Sequence, residues 1–265
     1  MLEKDIINRL MDTAVMGRNM LCYDEVDSTN TVLKKLAVQG AQSGTLVTAE
    51  SQNQGRGRRG RTWVSPKGSS ISMSLLIRPD FEPERSRMLT LVMALSVAQA
   101  VIKSTGLEAK IKWPNDIVVN NKKVTGILTE MILNKENGPF VIIGTGINVN
   151  VEEFPDEIKD MASSLKNQSG KKESREEIIA LTMNFFEENY NRFLQTKDLS
   201  LIKSEYESLL VNKNKDVLVL GEKEPYKGTA IGIDNEGELI VRNEEGILNK
   251  VYAGEVSVRG LYGYV

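Results

Sequence analysis

Apolar residues recur at helical spacing in Leu2, Ile6, Ile7, Leu10, Met11 and Ala14, which predicts an amphipathic helix at the start of the chain. A short apolar run at 21–26 reads as a strand. Asp27 or Ser28 then caps a helix that carries Val32, Leu33, Leu36 and Ala37 and that Gly40 ends. Strands are predicted at 45–49 and 71–77, and a polar loop rich in Gly and Arg joins them, running to about Ser69. Residues 84–104 are mostly Leu, Met, Val and Ala and predict one long helix. From Ala109 the pattern turns to strands at 117–119, 123–133 and 140–148, with turns at Asn120-Asn121 and Asn137-Gly138. Asn-Gly is the stronger of these two turn signals. Residues 151–173 are polar and read as a surface connection holding a single helical turn, followed by helices near 174–196 and 198–210. Beyond Asn212 come short β segments at 216–220, 226–233, 238–242 and 247–252, punctuated by turns at 235–237 and 244–246. This texture predicts a larger α+β unit, residues 1–211, followed by a small β-barrel, residues 212–265.

Composition narrows the function. The 265 residues carry a net charge of −2, whereas a general polyanion binder would show a strong basic excess. The N-terminus has no basic stretch followed by an apolar run, and no segment reads as the ~20 apolar residues of a membrane span. The single cysteine, Cys22, cannot close an internal disulfide, which fits a reducing cytoplasm. Histidine is absent, so Ser-His-Asp and Cys-His nucleophile pairs and the usual zinc sites are excluded. Any chemistry must run on Lys, Arg, Asp, Glu, Asn, backbone amides or a hard metal, a set suited to anionic substrates.

Two segments stand out. Gly55-Arg56-Gly57-Arg58-Arg59-Gly60 fits G-x-G-x-x-G, but Pro66 and Gly68 follow where a dinucleotide fingerprint needs a helix. The run instead interleaves Arg56, Arg58, Arg59 and Arg61 with glycines, ahead of Trp63. Arginine forks bind carboxylate and phosphate, and glycines allow close backbone approach. An isolated run of this kind is most often a solvated basic loop. Its length between two strands and the adjacent Trp63 favour a clamp that a ligand orders. The second segment, Lys112-Trp113-Pro114-Asn115-Asp116, interrupts a would-be continuous strand, so the chain must bulge or lie at an edge there. Asn115 and Asp116 present oxygens suited to Mg²⁺ or an amine proton, although the pentapeptide alone favours an ordinary turn. Lys123 lies across the expected hairpin, and Gly144-Thr145-Gly146-Ile147-Asn148 ends an apolar strand.

Together these segments resemble the biotin protein ligases. The match runs from Asp27-Ser28-Thr29-Asn30 through 50–54, the Arg-Gly loop, 112–116, 123–128 and 144–148, and closes with 251–257. The resemblance implies a mixed β-sheet with helices packed on one side, followed by an SH3-like barrel. It implies that Ser28, Thr29, Asn30, Gln52, Gly55, Arg56, Gly57, Arg58 and Lys123 surround biotin and its adenylate. Gly126, Gly144 and Gly146 would shape the pocket floor and Trp63 would close over the adenine side. Asn115, Asn148 and Arg61 would lie on the nucleotide or its metal. Many bacterial relatives carry an N-terminal DNA-binding domain. Only 27 residues precede Ser28, so a ligase without DNA binding is expected.

The implied reaction joins biotin to ATP as biotinyl-5'-AMP and passes the biotinyl group to a lysine of a biotin carboxyl carrier domain, in acetyl-CoA carboxylase or another biotin-dependent carboxylase. Arg58 and Lys123 would neutralise charge, Mg²⁺ would travel on the ATP phosphates with no metal ligand assigned in the protein, and Asp116 would orient or accept the amine proton. A homodimer is compatible with the resemblance. The nearest alternative is a lipoate-protein ligase-like acyl-adenylate ligase. Transferases of that group use a cysteine or lysine acceptor, and Cys22, outside every motif, reads as core.

Overall fold

A computed structural model describes every residue except 137, 221–223, 253–256 and 261–265, and for 257–260 it describes the backbone. The expected Asn137-Gly138 turn and the 251–257 motif therefore fall partly outside the described residues. The larger sheet has seven strands. They are β1 (Met20–Val26), β2 (Leu46–Gln52), β3 (Ser70–Ile77), β4 (Lys110–Lys112), β5 (Asp116–Val119), β6 (Lys122–Ile132) and β7 (Phe140–Asn148). Their spatial order is β1-β2-β3-β7-β6-β5-β4. Only the β1–β2 pair is parallel, with α2 (Thr29–Val38) as its crossover, and the rest is antiparallel. The sheet is mixed, as expected.

One face of the sheet packs against α3 (Leu89–Thr105) and α5 (Arg175–Thr196). Ile71, Met73, Leu75, Val141, Ile143 and Ile147 point into this core, where they meet Val92, Leu95, Ile179 and Phe186. Helix α3 is apolar around most of its circumference because both its faces are covered, and Gly106 in the left-handed conformation ends it. Ser174 caps α5 by accepting from the Glu177 amide, the first half of a capping box. The predicted helix at 84–104 is in fact a 3-10 turn, Pro83–Met88, leading into α3. The opening helix is also shorter than its periodicity suggests: α1 spans Lys4–Leu10, and the Glu187 carboxylate accepts from the Ala14, Val15 and Met16 amides, tying down the loop behind it.

The stretch Pro83–Thr105 corrects one expectation. An 18-residue window within its 23 residues reaches a mean hydropathy of 1.5, long and apolar enough by composition to cross a membrane. Burial of 72% of that window inside the fold accounts for its apolarity.

The second face of the sheet is treated differently. Helix α2 covers only one end of it, with Leu33 and Ala37 on Val47, Leu76, Phe140 and Ile142 in a small separate core. Beyond α2 this face lies open, and the candidate site occupies the gap.

Helices α4 (Leu165–Ser169) and α6 (Lys203–Leu209) complete the first part of the chain. The last part forms an antiparallel sheet of β8 (Lys215–Leu220), β9 (Tyr226–Ile233), β10 (Leu239–Arg242), β11 (Leu248–Val251) and β12 (Ser257–Gly260), in the order β11-β10-β9-β8-β12. Its Val217, Ile233, Leu239 and Val241 join the main core. Polar contacts reinforce the junction: the Trp113 indole donates to the Gly237 carbonyl at 3.0 Å, and Arg87 pairs with the buried Glu238 at 3.0 Å.

Candidate active site

The open face begins with what β3, β6 and β7 leave out. On this side Gly146 pairs with Ser72 and Gly126, and Gly144 with Ser74 and Leu128. Apart from Leu128 the floor is thus glycine and serine, where a sheet facing a core would carry Val or Ile. A Cβ on Gly144 would lie 2.2 Å from Asn30 Oδ1, and one on Gly146 would lie 2.3 Å from the Trp63 ring. A larger residue at either position would have to displace the side chain above it.

Over the floor lies the Arg-Gly loop. It is closed by its own backbone: Arg56 bridges Thr62, the Gly57 amide donates to Arg61 O at 2.7 Å, and Trp63 N donates to Gly55 O at 2.9 Å. Arg59 and Gly60 turn the chain in the left-handed region inside a 3-10 turn, Arg58–Gly60. This hairpin sends Arg56, Gly57, Arg58 and Trp63 into a cavity with Ser28, Thr29, Asn30, Gln52, Asn115, Lys123, Gly126, Gly144 and Gly146. With Trp63 resting on the floor, about 50 Å³ of that cavity is free. The indole Nε1 is buried and has no hydrogen-bond partner among the described residues.

The Lys112–Asp116 segment lies at the sheet edge, one of the two expected placements, and makes a turn. Lys112 pairs with Asp116 in an antiparallel hairpin of β4 and β5, so the pentapeptide is the turn itself, with a cis Trp113-Pro114 peptide, and β4 is the sheet edge. Trp113 points into the core, while Asn115 lines the site and Asp116 stands behind Lys123. Asp116 Oδ1 holds Lys123 Nζ at 2.7 Å, and Asn115 Oδ1 accepts from Arg58 Nη1 at 2.7 Å. Burial, together with Arg59 and Arg61, pulls the Arg58 guanidinium below its ordinary value against the opposing pull of Asp116. An arginine so shifted is still charged at neutral pH. Lys123 Nζ also sits 5.7 Å from the Trp63 ring centroid, a cation–π distance.

A second cavity of about 230 Å³ opens on the far side of Trp63 and Lys123. Arg61 and Asn148 line it, with Val64, Val151, Phe154, Ile158, Met161 and Ala162. Residues 151–173 are therefore more than a polar surface connection. Lys123 N donates to Met161 O at 2.8 Å and Ser163 N to Lys123 O at 2.9 Å, fastening the segment to β6 as a wall. The apolar residues 151, 154, 158 and 161 recur at helical spacing, a signal that charged neighbours mask.

Every candidate residue but four lines the first cavity. Arg61 and Asn148 line the second, Asp116 stands behind Lys123, and Gly55 braces the loop, its added Cβ falling 2.2 Å from Trp63 O. Sequence reasoning missed Ser72, Ser74 and Glu130, whose signal is only the alternation of small or polar residues with apolar ones along β3 and β6. Cys22 packs against the main core. Among the described residues no group of three or more Asp, Glu or Cys could cage a metal, and the Asn115 and Asp116 oxygens are turned to Arg58 and Lys123.

Comparison with known proteins agrees with this geometry. Residues 23–148 match the Biotin/lipoate A/B protein ligase family, and residues 214–259 match the Biotin protein ligase C terminal domain. The chain is 38% identical over 250 residues to the bifunctional ligase/repressor BirA of Bacillus subtilis, covering 94% of this chain and 76% of that protein. It is 32% identical over 228 residues to the biotin–[acetyl-CoA-carboxylase] ligase of Paracoccus denitrificans, covering 83% of this chain and 92% of that one. The biotin protein ligase of Aquifex aeolicus, solved in complex with biotin and ATP, superposes with a TM-score of 0.81 at 35% identity, covering 92% of this chain and 99% of that one. The chain belongs to the biotin protein ligases.

Proposed function

We propose that the protein forms biotinyl-5'-AMP from biotin and ATP and transfers the biotinyl group to one lysine of a biotin carboxyl carrier domain of acetyl-CoA carboxylase or a related carboxylase. The observation that carries this reading is the meeting of two cavities at Trp63 and Lys123. One is floored by glycine and lined by hydroxyl, amide and guanidinium groups, as a small polar ring with a carboxylate tail requires. The other is apolar with Arg61 and Asn148 at hand, as a purine and its phosphate require. The Aquifex aeolicus protein, which binds biotin and ATP, supports the assignment.

In the first step a biotin carboxylate oxygen forms a bond to the α-phosphorus of ATP, and the bond to pyrophosphate breaks. A carboxylate is already ionised at neutral pH, so no base is needed and the lack of histidine costs nothing. The obstacle is repulsion between anions. Lys123 lines both cavities and Arg58 and Arg56 line the first, and one well-placed cation is worth about 3–4 kcal/mol in the transition state. A Mg²⁺ ion arriving with ATP would add to this neutralisation, and Asn115 and Asp116 would be the protein oxygens beside it. The Arg-Gly hairpin covers the mixed anhydride and excludes water. In the second step the acceptor amine bonds to the acyl carbon and AMP leaves. Asp116, which holds Lys123 at rest, accepts the amine proton.

On this reading residues 1–211 form the catalytic unit and 212–265 an appended SH3-like barrel. The protein works in the cytoplasm, and its slightly acidic charge balance argues against a DNA partner for these residues. The outer edge of β1, at the end of the seven-stranded order, is where a homodimer would extend the sheet. The test is exchange of labelled pyrophosphate into ATP. Exchange that requires biotin, and that lipoate does not replace, is the expected result; no exchange with biotin would overturn the proposal.

A further inference from the structure

We infer that Glu130 is a positioning residue that sets the hydrogen-bond polarity of the biotin cavity through Asn30; this rests on the first cavity being the biotin site. Glu130 lies on the open face of β6 opposite Ile142, one rung beyond Leu128 and Gly144. It is half-buried at the rim of α2, and its Oε2 accepts from Asn30 Nδ2 at 2.6 Å. A carboxylate at neutral pH accepts and does not donate. Glu130 therefore obliges Asn30 to turn its NH₂ outward and its carbonyl inward.

The consequence passes along the wall. Asn30 Oδ1 lies 2.6 Å from Ser74 Oγ and can only accept, so the one Ser74 proton is committed to it. Ser74 Oγ also lies 2.7 Å from Thr29 Oγ1, and with its proton spent it is the acceptor in that pair. The other neighbour of the Thr29 hydroxyl, Gln52 Oε1 at 3.2 Å, accepts as well, and it already takes the Thr29 amide at 2.9 Å. The hydroxyl proton of Thr29 therefore stays within the wall, and its lone pairs are what the cavity receives. A wall that accepts is complementary to an N–H of the biotin urea. Without Glu130 the Asn30 amide is free to rotate by half a turn, which reverses Ser74 and lets Thr29 donate instead.

Glu130 touches no reacting atom, so its removal should alter recognition of the urea without altering the use of ATP. The test compares wild type, Glu130→Ala and the near-isosteric Glu130→Gln, all checked by thermal melting. Binding is measured by calorimetry with biotin and with biotin methylated on a urea nitrogen. Glu130→Ala should bind biotin about tenfold more weakly, the size of one lost hydrogen bond to a charged group, with the KM for ATP unchanged. Its preference for biotin over the methylated analogue should shrink in parallel. Glu130→Gln, which can present either end of its amide, should fall between the two, and it carries the test if the alanine variant does not fold. Wild-type affinity in Glu130→Ala and Glu130→Gln, or an equal loss for biotin and its analogue, would overturn the role. Failure of the wild-type protein to bind biotin at all would overturn the assignment of the cavity itself, a separate result.

Discussion

Strand β7 serves two environments with alternate residues. Val141, Ile143 and Ile147 face α3 and α5 and are fully buried. Between them Gly144 and Gly146 face the other way and carry no side chain, and Ile142 lies under α2. The period of two in a strand keeps these roles separate. One face supplies apolar burial and hence stability, and the other supplies room and polar groups, at the cost of two glycines in the middle of a sheet. Stability and ligand recognition should therefore respond to different substitutions only a residue apart.

That separation can be broken at four points. The largest effect belongs to Lys123, the cation shared by both cavities: Lys123→Ala should slow biotin-dependent pyrophosphate exchange by about 10²–10³-fold, with the melting temperature nearly unchanged. On the packed face, Ile143→Ala should cost about 2–5 kcal/mol in denaturant unfolding while leaving the KM for biotin close to wild type. A comparable loss of biotin binding would show that the two faces are not independent.

The third point is the buried pair of Glu50 and Arg175, 2.8 Å apart, where the strand that leads to the site meets the start of α5. Burial tends to raise the Glu50 pKa, but Arg175 and the Leu2 amide outweigh it and hold the group below 4.5. Its contribution is therefore present above about pH 4.5 and is lost as pH falls through the lower folded value. Glu50→Gln should cost about 3 kcal/mol at neutral pH, and the difference from wild type should narrow on acidification. A gap independent of pH would mean that charge is not what the pair contributes. The smallest effect is expected at the floor: Gly144→Ala, whose Cβ displaces Asn30, should weaken biotin binding about tenfold with little change in unfolding.

The strand and helix pattern was readable because each element has one dominant environment. The alternation in 71–77 and the apolar length of α3 both follow from contact with the same core. Taken alone, the Arg-Gly run reads as a solvated loop and the 112–116 pentapeptide as an ordinary turn; their order and spacing together are what mark them as candidate site chemistry. What they do depends on distance. Nothing in the sequence places Asn115 beside Arg58, 57 positions away, or Glu130 beside Asn30, 100 positions away. Phe154, Ile158 and Met161 were hidden for another reason: acidic and lysine residues around them gave the segment the look of a solvated loop, and an apolar cavity wall with a wet outer side has that composition.

Trp63 stands in the partition between the two cavities, resting on the glycine floor with its N–H unmatched among the described residues. A guest on one side that reorients the indole also remodels the neighbouring chamber. Thermodynamic reciprocity then fixes the bookkeeping: whatever factor biotin applies to the grip on ATP, ATP must apply to the grip on biotin. If biotin and ATP occupy these chambers as proposed, a single aromatic ring is enough to make two substrates sense one another before either has reacted.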